Sequence, residues 1–158
     1  HISADDYVSI HVTSPDLISV NLNGSVDFIS KQHVDTDNMD INLRGSGDIE
    51  MADLLCDRCN INLIGSGDID MKRLESREAT ATLIGSGDID LKLLNVLNTL
   101  LALKGSGDIS ADFAQGCKKV ECELHGSGEI ELSGNVEHFF NQKSGSGDID
   151  FHKLNVEK

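Results

Sequence analysis

The pentapeptide GSGDI occurs at Gly45–Ile49, Gly65–Ile69, Gly85–Ile89, Gly105–Ile109 and Gly145–Ile149, and as GSGEI at Gly126–Ile130. A degenerate copy, GSVDF, opens at Gly24. The opening glycines are 21, 20, 20, 20, 21 and 19 residues apart. A fixed period of this length marks stacked structural units, and it limits the possible folds more than any other property of the chain.

Inside each unit the apolar residues alternate. Ala79, Ala81 and Leu83 are separated by Thr80 and Thr82. The same parity returns as Cys59, Ile61, Leu63, then Leu101 and Leu103, then Val120, Cys122 and Leu124. A second set is Ile49/Met51, Ile69/Met71, Ile89/Leu91, Ile109/Ala111, Ile130/Leu132 and Ile149/Phe151. Leu54, Leu74 and Leu94 are expected to form a third column. A period of two with one apolar face is a strand. Helical spacing is sustained nowhere, apart from a weak trace in residues 91–101.

Strands repeating every ~20 residues with constant parity should each pair with the copy before, about 4.8 Å away. The expected fold is all-β: a single-stranded right-handed parallel β-helix, or β-solenoid, of about seven rungs, its hand following the usual chirality of parallel connections. Residues 1–23 would be an atypical N-terminal rung or cap, 24–148 the repeated rungs and 149–158 a partial C-terminal rung. Parity carries from Leu63 through Gly65 and Gly67 to Ile69, so both glycines should face inward at a bend. There a side chain would strike the opposite wall. The last full unit breaks the pattern by placing Asn141 and Lys143 where Cys122 and Leu124 stood. Either the strand shifts or Lys143 reaches out near an open end. His152, Lys153 and Lys158 are candidates for blunting that end against edge-to-edge growth.

Composition fits a narrow interior. The 158 residues are 39% apolar but 4% aromatic, with no Trp and a single Tyr. The formal net charge of −14 disfavours nucleic acid and anionic membrane surfaces, both of which demand cations. No apolar run approaches the length of a membrane span. The chain starts at His1, so a signal peptide removed on export is an open expectation. Among the four cysteines, Cys56 and Cys59 match half of a zinc knuckle whose second half is missing, and Cys117 and Cys122 have the wrong spacing for it. Buried thiols fit better.

The acid after each glycine pair has two readings. Asp48, Asp68, Asp88, Asp108, Glu129 and Asp148 form one outward column. Glu50, Asp70, Asp90, Glu131 and Asp150 form a second, interrupted at Ser110. Together they hold eleven of the 27 acidic residues. Like charges one strand apart repel by roughly 1–3 kcal/mol per pair near a protein surface. Backbone capping at the corners would relieve this. Weak Ca²⁺ binding, with Asp48, Glu50, Asp68, Asp70, Asp88 and Asp90 as the acidic surface ladder, is the alternative, although calcium takes 6–8 oxygens and a flat face offers few per site. No other cofactor is expected.

One unit is apolar on its outside. Leu100 and Ala102 replace Thr80 and Thr82, while Val96 and Leu97 replace Ser76 and Arg77. These four residues are expected either to form a contact patch, with a second copy of the chain as occupant, or to belong to a loop folded back on itself.

The repeated GSGDI on ~20-residue rungs, after the opening DDYVSIHVTSPDLISVNLNG, resembles the putative auto-transporter adhesin head (GIN) domain family over nearly the whole chain. The resemblance implies a β-solenoid of bacterial origin, exported to the periplasm, outer-membrane surface or extracellular space. It implies an adhesive role and brings no catalytic residues. The resulting expectation is a non-enzymatic adhesin or envelope scaffold whose partner is a protein or glycan at the cell surface. A polysaccharide-binding or pectin-lyase-like solenoid is the alternative. It lacks aromatic platforms here, and its acids recur in every rung alike. Ice binding fails because the Thr-x-Thr ladder is one rung deep. Dinucleotide binding fails because the motif lacks its third glycine and leads into no helix. The serines of the motif are equivalent copies without a paired histidine, so no catalytic residue is assigned.

Overall fold

A computed structural model describes residues 7–13 and 17–157. They form eleven strands and no helix: β1 (Tyr7–Thr13), β2 (Leu17–Gly24), β3 (Phe28–Asp35), β4 (Asn38–Gly45), β5 (Asp48–Gly65), β6 (Asp68–Gly85), β7 (Asp88–Leu94), β8 (Val96–Gly105), β9 (Asp108–Gly126), β10 (Glu129–Ser144) and β11 (Asp148–Val156). From β2 onward every pairing is parallel and joins one unit to the next, as in β5 with β6, where Asp48 faces Asp68 and Gly65 faces Gly85. The chain is a parallel β-solenoid of about seven turns with ~20-residue rungs.

Each full rung has three sides. In β5 the inward residues are Ile49 and Met51, then Leu54 and Cys56, then Cys59, Ile61 and Leu63. They advance by two along a side and by three at two places. Each step of three leaves two successive residues facing out, and the ladder with β6 is interrupted at those points. The chain bends there without leaving the strand. A rung therefore runs from the glycine corner along a first side, bends at Ala52–Asp53, follows a short second side, bends again at Asp57–Arg58, and returns along a third side.

The glycine corners are where consecutive rungs touch most closely. The N–H groups of Ser66 and Gly67 both donate to the Gly45 carbonyl at 3.0 Å, and the Asp68 N–H donates to the Gly47 carbonyl at 3.2 Å. The same three bonds recur at the corners opened by Gly85, Gly105 and Gly126. A Cβ on Gly67 would lie 2.0 Å from the Gly47 carbonyl oxygen, and one on Gly65 would lie 2.4 Å from that of Gly45. Gly65 also has φ +129°, which L side chains rarely adopt. The glycines are thus required by the carbonyl of the preceding rung and not by the opposite wall. Where Val26 occupies the place of Gly47, the Asp27 carboxylate takes the Asp48 N–H instead, at 3.0 Å.

Two column expectations are corrected. The third column runs Leu54, Leu74, Leu93, because β7 is one residue short at its bend and Leu93 pairs with both Leu74 and Phe113. Leu94 pairs beside Glu75 and lies outside the core cluster. Asn95, with φ +55°, absorbs the missing residue. Val96 then turns inward at 3% exposure, opposite Cys117, and so leaves the expected contact patch.

The ends differ from a full rung. At the N-terminus β2 lies in register with β4, but β1 turns back antiparallel on β2, so the cap is a hairpin. The cap residues 1–6 and 14–16, and Lys158, lie outside the described residues. At the C-terminus Asn141 and Lys143 stay in register with Cys122 and Leu124, so the strand does not shift. Lys143 reaches out, 42% exposed, to Asp148 at 3.8 Å. Phe139 packs against Phe151 with ring centroids 5.1 Å apart, giving the last turn a small aromatic plug.

Candidate functional site

The first side presents the acidic columns. Strand pairing stacks Asp48, Asp68, Asp88, Asp108, Glu129 and Asp148 in one line. Glu50, Asp70, Asp90, Ser110, Glu131 and Asp150 stack in the next. Two devices moderate the repulsion. The backbone N–H groups of Asp68 and Asp108, which donate to the Gly47 and Gly87 carbonyls, also favour the charged form of the Asp48 and Asp88 carboxylates on the preceding rung. Lys72 reaches Asp70 at 3.1 Å and Glu50 at 3.6 Å. Repulsion persists nonetheless. Partial burial, followed by neighbouring carboxylates, holds Asp48, Asp88, Asp90 and Glu129 above the usual carboxylate range. Asp150 lies below it, because the backbone and ring N–H groups of His152 donate to it.

Ser110 opens a shallow hollow of about 240 Å³ in the second column, bordered by Asp70, Asp90 and Glu131 with Lys72 and Lys92. Among the described residues no three His, Cys, Asp or Glu side chains converge as a metal site would require.

The third side has a different chemistry. Its central column runs Asn21, Asn42, Asn62, Thr82, Ala102 and Glu123. Asn42 Nδ2 donates to Asn21 Oδ1 at 2.9 Å and Asn62 Nδ2 to Asn42 Oδ1 at 3.0 Å, an amide ladder across three rungs. Beside it Asn60 donates to Asp40 at 3.1 Å, and Thr80 and Leu100 follow in the same column. Amide ladders satisfy their own donors and acceptors along the stack and leave a flat surface.

The expected contact patch is divided by this geometry. Leu100 and Ala102 lie half-buried on the third side. Leu97 is 41% exposed but sits around the bend, beside Arg58 and Arg77. Ile64 and Ile84, exposed along the rim next to the glycine corner, extend the apolar surface. Their parity, one residue past the inward Leu63 and Leu83, was the signal for them in the sequence.

Fold and surface together define a β-solenoid repeat protein with one acidic face and one face of mixed character, whose centre from β2 to β8 is amide, threonine and apolar. That class narrows to a single family. The putative auto-transporter adhesin, head GIN domain family matches residues 1–116 and 92–158, and the chain belongs to it. No curated protein and no solved structure matches the chain. Among the described residues no helix is long and apolar enough to cross a membrane.

Proposed function

We infer that the chain is a non-enzymatic exported module that binds a protein or glycan at the cell surface through its third side. The observation that carries this reading is the contrast between the sides. Every rung from Asp48 to Asp150 places carboxylate on the first side, whereas the centre of the third side from β2 to β8 presents laddered amides, threonine methyls and the Leu100/Ala102 pair, with charges of both signs (Asp40, Arg44, Arg58, Glu78, Lys104) around it. A flat, preformed surface whose polar groups are already satisfied loses little conformational entropy on docking. The adhesin-head family supports the same role.

The test is binding of fluorescently labelled protein to bacterial envelope preparations and to a glycan array. The wild type is compared with a Leu100→Lys/Ala102→Lys double variant and an Asp68→Asn/Asp70→Asn double variant. The first double variant should lose about ten-fold or more in apparent affinity, in line with charge placed in a contact centre. The second should bind as wild type. Equal loss in both, or loss only in the acidic-face variant, would move the contact to the first side.

A further inference from the structure

We propose that the N-terminal end of the third side holds one acidic sugar, a uronic or sialic acid residue of an otherwise neutral glycan. Arg44 takes its carboxylate, the Asn42 and Asn62 amides its hydroxyls, and the Tyr7 ring its C–H face. The inference rests on binding through the third side, as proposed for the chain, and names the chemistry of the partner at one place on it.

The hairpin cap builds that place. β1 turns back on β2 so that Tyr7 lies opposite Asn23 and Ser9 opposite Asn21. Asn23 and Asn21 pair in turn with Arg44 and Asn42, and these with Ile64 and Asn62. All share the outward parity, so the chain's single tyrosine, the amide ladder and an arginine meet on one face. They border a hollow of about 240 Å³, enough for one sugar ring and too small for a run of them. Tyr7 is 54% exposed and offers a rigid apolar ring with a polar tip, which orders at little entropic cost.

The amides supply hydroxyl recognition. Asn42 donates one N–H to Asn21 and accepts one from Asn62, which leaves it a second N–H and a second lone pair. A donor and an acceptor side by side match neighbouring sugar hydroxyls, and the stack already fixes their orientation.

The arginine selects the acid. Arg58, Lys72, Arg73, Lys119 and Lys143 each reach a carboxylate. Arg44 is exposed and reaches none among the described residues, because the outward neighbours before it on its strand and across the rungs are Asn42, Asn23 and Ile64. An unengaged guanidinium fork fits a planar carboxylate through two parallel N–H bonds. The rest of the chain limits the ligand to one such group. At a net charge of −14 the long-range field opposes a polyanion, whereas a lone carboxylate answers mainly to the cation beside it.

The test is a nuclear magnetic resonance titration of the isotope-labelled full chain with methyl β-glucuronide, a methyl sialoside and, as neutral control, methyl β-glucoside. One or both acidic sugars should shift the Arg44 Nε–H and the Asn42 and Asn62 side-chain amides, and should bind about ten-fold or more tighter than the glucoside. Which of the two binds identifies the acid. Arg44→Gln, at an exposed position, should keep the circular dichroism and bind all three sugars alike, and Arg44→Lys, which keeps the charge without the fork, should fall between. Equal wild-type affinity for the glucoside, shifts confined to the first side, or discrimination that survives Arg44→Gln would each overturn the site. If no sugar shifts any signal while Leu100→Lys/Ala102→Lys still loses envelope binding, the acidic sugar is wrong and the third side stands as a protein contact. If that double variant binds as wild type as well, both readings fall.

Discussion

Asp88 is the place to measure what the acidic ladder costs. Asp68 precedes it in the column and Asp108 follows. The Asp108 N–H, donated to the Gly87 carbonyl at 3.1 Å, favours the charged form of Asp88, whereas partial burial, Asp108 and Asp90 raise its proton affinity. Asparagine matches its shape and removes the charge. Two unit charges one strand apart repel by about 1 kcal/mol in water and about 3–4 kcal/mol at an effective dielectric of 20. These groups are largely solvated, so the lower figure applies, and side-chain splay and salt reduce it further. Summed over its neighbours, relief of about 1 kcal/mol is expected, which raises the melting temperature of a chain this size by about 2–4 °C.

The assay is thermal unfolding by circular dichroism at about 20 mM and about 1 M NaCl, where the screening length falls to ~3 Å. Asp88→Asn should melt above wild type at low salt and converge with it at high salt. Asp88→Ala also removes the charge, and because the Asp108 N–H keeps the Gly87 carbonyl it should likewise melt above wild type at low salt. If Asp88→Asn melts below wild type at low salt, or if its gain survives high salt, the repulsion argument fails. The carboxylate would then be making a favourable interaction, such as holding a cation.

The remaining predictions test the corner, the pH response and the ion question. Gly67→Ala places a Cβ 2.0 Å from a backbone oxygen and should cost more than about 3 kcal/mol, whereas Gly116→Ala, at φ +91° with open space around it, should cost about 1 kcal/mol; equal losses in urea unfolding would refute the contact as the cause. Because Asp48, Asp88, Asp90 and Glu129 bind protons more tightly folded than unfolded, their contribution is fully present below the unfolded carboxylate range and lost as pH rises through the raised values. The melting temperature should therefore climb as pH falls through the upper edge of the carboxylate range, with Asp150 acting oppositely at lower pH, and a steady fall across that upper edge would refute the sign. Calcium at about 1 mM should raise the melting temperature no more than magnesium does, since neighbouring rungs offer too few oxygens for a shell of 6–8; a calcium-specific rise above about 5 °C against EDTA would establish an ion site.

The solenoid was legible because its two signals are local. The ~20-residue period sets which residues stack, and the period of two sets which face inward. Both hold wherever the strand runs straight, as from Ala79 to Leu83 and through Gly65 and Gly67 to Ile69. They fail at bends, where a step of three depends on backbone twist that no composition records. Leu94 and Val96 were both misplaced at one such bend, where a short rung is rescued by Asn95 in a left-handed conformation. The reason for the glycines was also hidden. A clash with the rung below exists only once the rungs are stacked, so a single unit viewed alone points wrongly to the opposite wall.

The recurrence of GSGDI and the variety elsewhere now have separate causes. The corner bonds run from one glycine corner to the next, so each copy must present the same backbone to both neighbours, and a side chain at either of its glycines would part the rungs. The outward columns bear no such constraint. They are free to change from Asn62 to Thr82 to Ala102 within three rungs. On the first side they nevertheless stay acidic, although partial burial and like charge act against it and only some carboxylates serve as caps. A feature that recurs at a cost to folding is explained by what it does in solvent. Carboxylate on the first side of nearly every rung repels the same side of another copy, so under the function proposed above the third side, where charges of both signs surround an amide and apolar centre, is the surface on which contact would be least opposed.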